Sequence, residues 1–139
     1  MNIFIDTAAF LAVLDANDQY HPSAKMNWEE ILTSDSVLFC SNYVVLETIA
    51  LLQQRFGVEA VRLFESDILP VIEITRVDEA IHSRGMSALL VANRRDISLV
   101  DCTSFEIMRQ LGMDTAFTFD PHFSEQGFKV IPGGNKPLG

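Results

Sequence analysis

The sequence predicts an α/β fold, a three-layer α/β/α sandwich in which helices cover both faces of a central, mostly parallel sheet. Short apolar runs of strand length alternate with longer segments in which apolar residues have helical spacing. The chain has 139 residues, a common length for one domain, and neither a repeat nor an internal linker divides it. Strands that alternate with helices in this way are typical of a parallel sheet.

The first forty residues contain two predicted strands separated by two predicted helices. The apolar run Asn2–Ile5 predicts a buried strand, and the good helix formers of Thr7–Leu14 predict a helix directly after it. The turn signal His21-Pro22-Ser23 precedes a second predicted helix, Ala24–Leu32. Val37–Cys40 is the second candidate strand.

The middle of the chain repeats this alternation. Ser41 is a favourable N-cap for a helix that should end near Gly57, since glycine is a common helix stop. A further helix is predicted over Glu59–Ile68. Pro70 opens a predicted third strand that runs to Ile74.

Two helices and two strands complete the predicted domain. Thr75 is expected to cap a long helix, Val77 to about Ala92, and Ser98 a helix over Leu99–Leu111. The last two predicted strands are 115–119 and 128–131. We therefore expect one domain over residues 1–131 and a flexible tail, rich in glycine and proline, over residues 132–139.

Composition excludes several classes of protein. Apolar residues make up 48% of the chain, which excludes a disordered or fibrous protein. No apolar stretch reaches the roughly 20 residues that a membrane span needs, and no export signal is evident. Cys40 and Cys102 lack the spacing of a zinc site or a disulfide scaffold. We expect a cytoplasmic protein without a membrane segment.

The net charge is strongly acidic. Nineteen acidic residues against ten basic ones give a formal charge of −9, opposite to the basic surface expected of a protein that grips nucleic acid. Divalent cations bound to a group of carboxylates would cancel part of this charge locally. Binding of a nucleic-acid substrate would then depend on a local basic patch or a second subunit. We also expect narrow substrate selectivity.

Four acidic residues are expected to meet at one edge of the predicted sheet. Asp6 and Asp120 each follow an apolar strand, and ligands of parallel α/β sheets bind at the carboxyl ends of the strands. Glu47 lies in the first two turns of the helix after the second strand. Asp101 lies in the first turn of a helix that leads into the fourth strand, so it faces the same edge.

Structural roles are the alternatives for these residues. Asp6 or Asp120 could cap the following helix or turn, and Ser98 and Asp101 have capping-box spacing. Glu47 projects from a largely apolar face, where an unpaired charge is costly, so it requires a partner such as an arginine or a cation.

A cation explains the four acids together. Carboxylates in close proximity repel one another unless positive charge lies between them. Oxygen ligands without cysteine or histidine at ligand spacing favour Mg²⁺ or Mn²⁺ over Zn²⁺. Such a cluster suits phosphodiester hydrolysis, in which two ions about 4 Å apart activate water and stabilise the leaving oxygen.

Four motifs occur in order along the chain: Phe4-Ile5-Asp6-Thr7, Ser-Asn-Tyr-Val-Val-Leu-Glu over 41–47, Ser-Leu-Val-Asp-Cys-Thr-Ser over 98–104, and Thr-Phe-Asp-Pro-His-Phe over 118–123. In order and spacing they resemble the motifs of the PIN-domain family, and in particular those of the VapC-type toxins of toxin–antitoxin modules. The resemblance extends from Asn2 to about Ile131.

The resemblance implies an endoribonuclease that uses Mg²⁺ or Mn²⁺ and acts on structured RNA such as transfer or ribosomal RNA. It also implies a homodimer that a small antitoxin protein holds inactive. The implied catalytic and metal-binding residues are Asp6, Glu47, Asp101 and Asp120, with Thr7 and Thr118 as supporting hydroxyl groups.

Further residues have weaker predictions. Arg94 and Arg95 could bind RNA phosphates, or they could bridge to Asp96 or Glu79. His122 follows Asp120 closely and could contact the substrate, but it is interpreted as a loop residue, because a metal-based mechanism needs no histidine base.

Other functions remain open at this point. They are a housekeeping PIN-domain nuclease that processes RNA, a structure-specific DNA nuclease, and a catalytically silent PIN-fold binding module. A receiver-like signalling domain is disfavoured, because Asp6 has no acidic neighbour and no lysine lies between Lys25 and Lys129.

Overall fold

A computed structural model describes residues 1–133, so the predicted flexible tail lies outside the described residues except for Pro132 and Gly133. Its centre is a five-stranded sheet in the order β3-β2-β1-β4-β5, and every pair of neighbouring strands is parallel. The strands are β1 (Asn2–Ile5), β2 (Val37–Ser41), β3 (Ile72–Thr75), β4 (Thr115–Phe117) and β5 (Lys129–Ile131).

Helices cover both faces of this sheet, which confirms the predicted α/β/α sandwich. Right-handed crossovers place the helices before β3 on one face and those after β3 on the other, because the direction of travel across the sheet reverses there. No helix within residues 1–133 is long and apolar enough to cross a membrane. The helices are α1 (Thr7–Leu14), α2 (His21–Thr33), α3 (Asn42–Phe56), α4 (Val58–Leu63), α5 (Glu79–Ala92), α6 (Leu99–Gln110) and α7 (His122–Glu125).

Aromatic side chains fill the layers on either side of the sheet. Phe10 of α1 packs edge-on against Phe64, with ring centroids 5.2 Å apart. Phe123 of α7 packs against Phe105 of α6 at 4.9 Å and against Phe4 of β1 at 6.5 Å. All five rings are buried, and the second group ties β1, α6 and α7 together beneath the carboxyl edge of the sheet.

Some element boundaries differ from the predicted ones for local reasons. α2 begins at His21 because Pro22 fits the first turn of a helix, where its missing N–H needs no partner. α5 is capped by Asp78 and not by Thr75, since the Asp78 carboxylate accepts the N–H of Ile81 at 2.9 Å.

The helix predicted over Glu59–Ile68 is irregular. α4 ends at Leu63, a single π-helical turn continues to Ile68, and a 3₁₀ turn covers Leu69–Val71. Pro70 lies inside the 3₁₀ turn, and the strand that it was expected to open begins at Ile72.

α5 and α6 lie unusually close together at Gly85. A Cβ atom on Gly85 would lie 2.6 Å from the Cγ2 methyl of Thr103, closer than two carbon atoms can approach. The absence of a side chain at Gly85 therefore permits close packing of α5 against α6, the helix whose first turn carries Asp101.

Candidate active site

A pocket opens at the carboxyl edge of the sheet, where β1 and β4 lie side by side. The strand order reverses at this point, and α/β sheets bind their ligands at such a reversal. The pocket is lined by all four predicted acids, Asp6, Glu47, Asp101 and Asp120. Other lining residues include Thr7, Ser98 and Ser104. The structure thus brings together residues from four separate segments, as the topology predicted.

Asp6 is the most buried of these acids, with 6% of its surface exposed. It is the N-cap of α1, because Oδ1 accepts the N–H of Ala9 at 3.0 Å, and Oδ2 accepts the hydroxyl hydrogen of Thr118 at 2.7 Å. Burial raises the pKa of Asp6 to about 7 against the lowering effect of these bonds, and the charges of Asp120 and Asp101 add to the rise. At neutral pH this carboxyl group is therefore only partly ionised unless a cation lies nearby.

Thr118 connects two of the acids. Its hydroxyl donates to Asp6 and accepts the backbone N–H of Asp120 at 2.9 Å. The hydroxyl of Thr7 instead lies 3.5 Å from the carbonyl oxygen of Val44 and 3.3 Å from the hydroxyl of Thr48. The two threonines predicted as supporting hydroxyls therefore differ, since only Thr118 bonds to acids of the pocket within residues 1–133.

Asp101 combines the structural role and the pocket position that the sequence left as alternatives. Its Oδ2 accepts the N–H of Ser98 at 3.1 Å, and its own N–H donates to the Ser98 hydroxyl at 3.0 Å, which completes a capping box. Burial raises the pKa of Asp101, and the charge of Asp120 adds to it. The cap fixes the position of the carboxylate, and Asp101 still lines the pocket.

Glu47 projects from α3 into the pocket and is partly buried. Within the described residues it has neither an ion pair nor a hydrogen bond, so the arginine considered as its partner is not there. It also borders an apolar groove formed with Leu46, Ala50 and Leu99. A carboxylate in this position matches the expected need for a cation.

His122 belongs to the site, and its interpretation as a loop residue was wrong. It lies in α7 with 8% of its surface exposed. One imidazole nitrogen lies within 4.8 Å of carboxylate oxygens of Asp101 and Asp120. The only sequence signal was its position two residues after Asp120.

The imidazole of His122 lies between two carboxylates. Nδ1 is 2.6 Å from Oδ1 of Asp120, and Nε2 is 3.0 Å from Oδ2 of Asp96. Burial lowers the pKa of His122, but the hydrogen bond to Asp96 and the charge of Asp120 outweigh it, so the pKa is raised overall. The neighbouring carboxylates therefore favour the protonated form of the ring.

The two arginines have different environments. Arg94 donates to both oxygens of Asp96, at 3.0 and 2.7 Å, and to Glu125 at 3.1 Å. This is the bridge to Asp96 that the sequence left open. Arg94 and then His122 hold the pKa of Asp96 well below its usual range. Arg95 is exposed and has no ion pair within residues 1–133.

The donor set fits a divalent cation. Carboxylate oxygens from four segments surround the pocket, and two of these groups have raised pKa values because they are buried near one another. Oxygen-rich sites of this kind suit Mg²⁺ and Mn²⁺.

Known proteins are similar to this chain in sequence and in fold. The family model described as PIN domain matches residues 3–129. The 23S rRNA-specific endonuclease VapC20 of Mycobacterium tuberculosis is 34% identical over 130 residues, which cover 93% of this chain and 97% of the relative.

Solved structures are similar as well. The crystal structure of Mycobacterium tuberculosis VapC20, described as a sarcin–ricin loop cleaving toxin, has a TM-score of 0.80 at 33% identity and covers 91% of this chain and 95% of that chain. FitAcB from Neisseria gonorrhoeae has a TM-score of 0.67 at 19% identity, covering 94% and 96% of the two chains. VapBC2 from Rickettsia felis, bound to a promoter DNA fragment, has a TM-score of 0.69 at 13% identity, covering 94% and 97%. The last two comparisons bear on the fold alone.

Proposed function

The chain belongs to the PIN domain family, and we propose that it is a metal-dependent endoribonuclease, the toxin of a toxin–antitoxin pair. The observation that carries this proposal is the convergence of four acids from four segments on one pocket at the strand-order reversal. The substrate we propose is the sarcin–ricin loop of 23S ribosomal RNA, because the relative of known specificity aligns over nearly the whole chain.

The four acids hold Mg²⁺ or Mn²⁺ in this proposal, and each has a distinct setting. Asp6 is fixed at both oxygens, Asp101 is fixed by its capping box, and Glu47 is the least constrained of the three. When bound, divalent cations neutralise the phosphate charge and lower the pKa of water. Burial of Asp6 keeps bulk water away from its carboxylate, which strengthens its attraction for the cations.

Exposed arginines at the same edge of the sheet provide the local positive charge that RNA requires. We propose that Arg95, in the loop before α6, contacts phosphates of the substrate, as its sequence position suggested. Arg76 directly follows β3 at the carboxyl edge and is also exposed without an ion pair within residues 1–133. Because the chain as a whole carries −9, attraction for RNA depends on local positive charge, and selective cleavage is expected over general degradation.

The test is 5′-end mapping of RNA from ribosomes incubated with the purified protein in Mn²⁺ or Mg²⁺. We expect a discrete new end in the sarcin–ricin loop that disappears with EDTA. Asp101→Asn should reduce its formation by at least about 1,000-fold, since it removes a charge that binds the cations. Asp35→Asn, at an exposed aspartate far from the pocket lining, is the matched control. Cleavage that persists in EDTA or in Asp101→Asn would refute the metal-dependent mechanism.

Toxicity and partners are tested in cells. We propose that expression arrests growth, that a small antitoxin protein relieves the arrest, and that Asp101→Asn is harmless.

We also propose a homodimer that buries the apolar groove beside Glu47, because Leu46 on its border is 68% exposed. Sedimentation should show a two-chain species that Leu46→Glu converts to one chain. A wild-type monomer at all concentrations would exclude the dimer.

A further inference from the structure

Three side chains outside the four acids form a continuous series of contacts that ends on Asp120. They are Arg94, Asp96 and His122, and we refer to them as the Arg94–Asp96–His122 clamp. We propose that the clamp positions the Asp120 carboxylate for metal binding, with His122 as the positioning residue that contacts it. This inference rests on the proposed function.

The inner end of the clamp restrains Asp120. Oδ1 of Asp120 accepts the backbone N–H of His122 at 2.9 Å and lies 2.6 Å from Nδ1 of the same residue. The backbone N–H of Asp120 is bonded to Thr118. With one oxygen engaged and the main chain fixed, the second carboxylate oxygen is the one left to face the pocket that Asp120 lines.

The outer end of the clamp restrains His122. Nε2 is hydrogen-bonded to Oδ2 of Asp96 at 3.0 Å, so rotation of the ring would break that bond. The buried Nδ1 lies 2.6 Å from Oδ1 of Asp120 but makes no hydrogen bond of good geometry within residues 1–133, so the inner end of the clamp is a close contact. Asp96 is in turn held by two hydrogen bonds from Arg94, and Arg94 also bonds to Glu125. The loop before α6 and the short helix α7 are thereby joined by two polar bridges.

The position of His122 favours an action through Asp120 over direct contact with a metal. Asp101 and Asp120 line the acidic pocket, whereas the imidazole of His122 is buried next to Asp120 and is not part of the pocket wall. Residues that orient a metal ligand from behind commonly change metal affinity by about 10- to 100-fold when they are replaced. The clamp has the geometry of such a group.

Calorimetric titration of the purified full chain with Mn²⁺ tests the clamp. His122→Leu, which keeps bulk and removes both ring contacts, should weaken Mn²⁺ binding by about 10- to 100-fold. His122→Asn retains an amide donor near Asp120, so its loss should be smaller. Asp96→Asn should weaken binding by roughly 10-fold while leaving the thermal midpoint in EDTA close to that of wild type, because Asp96 is exposed.

The matched control is Glu59→Gln. It cuts the exposed Arg62–Glu59 ion pair, which has a 3.0 Å contact of the same kind and is remote from the pocket. It should leave Mn²⁺ binding unchanged. Wild-type affinity in both Asp96→Asn and His122→Leu would overturn the clamp, and a loss of affinity in Asp96→Asn with an intact thermal midpoint would support it.

Pulsed electron paramagnetic resonance of the Mn²⁺-loaded wild-type protein separates positioning from direct ligation without any variant. Positioning predicts no strong coupling to an imidazole nitrogen, and a directly coordinated nitrogen would overturn the proposed role of His122. If the wild-type protein neither binds Mn²⁺ nor cleaves RNA, the proposed function fails together with the clamp. If it does both while the variants match wild type, only the clamp fails.

Discussion

The acidic pocket and the aromatic cluster beneath it are built on the same elements but have opposite effects on stability. The aromatic cluster consists of Phe4, Phe105, Phe123 and Phe128. α6 provides Asp101 to the pocket and Phe105 to the cluster. α7 provides His122, which contacts Asp120 from outside the pocket lining, and Phe123, which belongs to the cluster. Burial of the rings stabilises the fold. Burial of the carboxylates opposes folding until a cation is bound.

This difference indicates how the site is maintained. The clustered carboxylates cannot hold themselves together, because burial and mutual repulsion raise the pKa values of Asp6 and Asp101. Packing of the rings one residue or one helical turn away supplies the free energy that keeps the acids in place. Substitutions in the two regions should therefore change stability with opposite signs.

The largest expected stability effect comes from Phe123→Ala in the aromatic cluster. Phe123 is fully buried, and truncation of such a ring costs about 3–5 kcal/mol, a large part of the roughly 5–15 kcal/mol that stabilises a typical domain. Urea denaturation should show this loss. Leu90→Ala, at a residue that is 71% exposed, should change stability by less than about 0.5 kcal/mol. A near-neutral Phe123→Ala would show that the cluster does not support the pocket.

The next largest effect is the pH dependence caused by Asp6. Its pKa is 3.8 in an unfolded chain and about 7 in the fold, so between these values the folded state binds the extra proton. The contribution of Asp6 to stability in EDTA should therefore be most favourable below pH 4 and should become less favourable as pH rises to 7. The rise in pKa corresponds to about 4 kcal/mol, at about 1.4 kcal/mol for each tenfold change in proton affinity.

Asp6→Asn isolates this contribution. An asparagine has the same shape and no charge, so the variant should be more stable than wild type at pH 8 in EDTA, with the difference vanishing near pH 4. Mn²⁺ should stabilise wild type at pH 8 far more than Asp6→Asn. Denaturation curves at several pH values provide the comparison. Equal pH profiles for the two proteins would contradict the assigned cost of burying Asp6.

The sequence was sufficient to predict the fold class and the convergence of the four acids on one edge of the sheet, because both depend on strand and helix periodicity. Asp6 follows β1 directly, and the order of elements places the starts of α3 and α6 at the same edge. His122 could not be predicted in this way. α7 has four residues, too few for a periodic signal, and the contact of His122 with Asp96 spans 26 positions in the sequence.

Irregular segments were missed for a related reason. The spacing of apolar residues over Glu59–Ile68 is helical, but it does not distinguish an α-helix from the π turn that the chain adopts after Leu63. Similarly, Thr75 and Asp78 are both acceptable N-caps by residue type, but Thr75 is the last residue of β3, and Asp78 accepts the N–H of Ile81.

The smallest expected effect on stability comes from Gly85→Ala. This variant tests whether steric strain between α5 and α6 alters the pocket. The new methyl would meet the methyl of Thr103 at 2.6 Å, and overpacking of this kind costs about 1–3 kcal/mol. Alanine regains about 1 kcal/mol of helix propensity, so the net loss should be roughly 1 kcal/mol. Thr103→Ser removes the opposing methyl and keeps the hydroxyl, and in that background the loss should disappear.

The Mn²⁺ affinity of the same Gly85→Ala variant then shows whether the α5–α6 contact and the acidic pocket are coupled. Thr103 lies in α6 only two residues after Asp101, but the capping box with Ser98 holds Asp101 independently of the contact with α5. We therefore expect unchanged Mn²⁺ affinity, measured by calorimetry, despite the lower stability. A weakened affinity that Thr103→Ser restores would instead show that α6 moves as a rigid body, so that packing against α5 sets the position of the carboxylate as well as the stability of the fold.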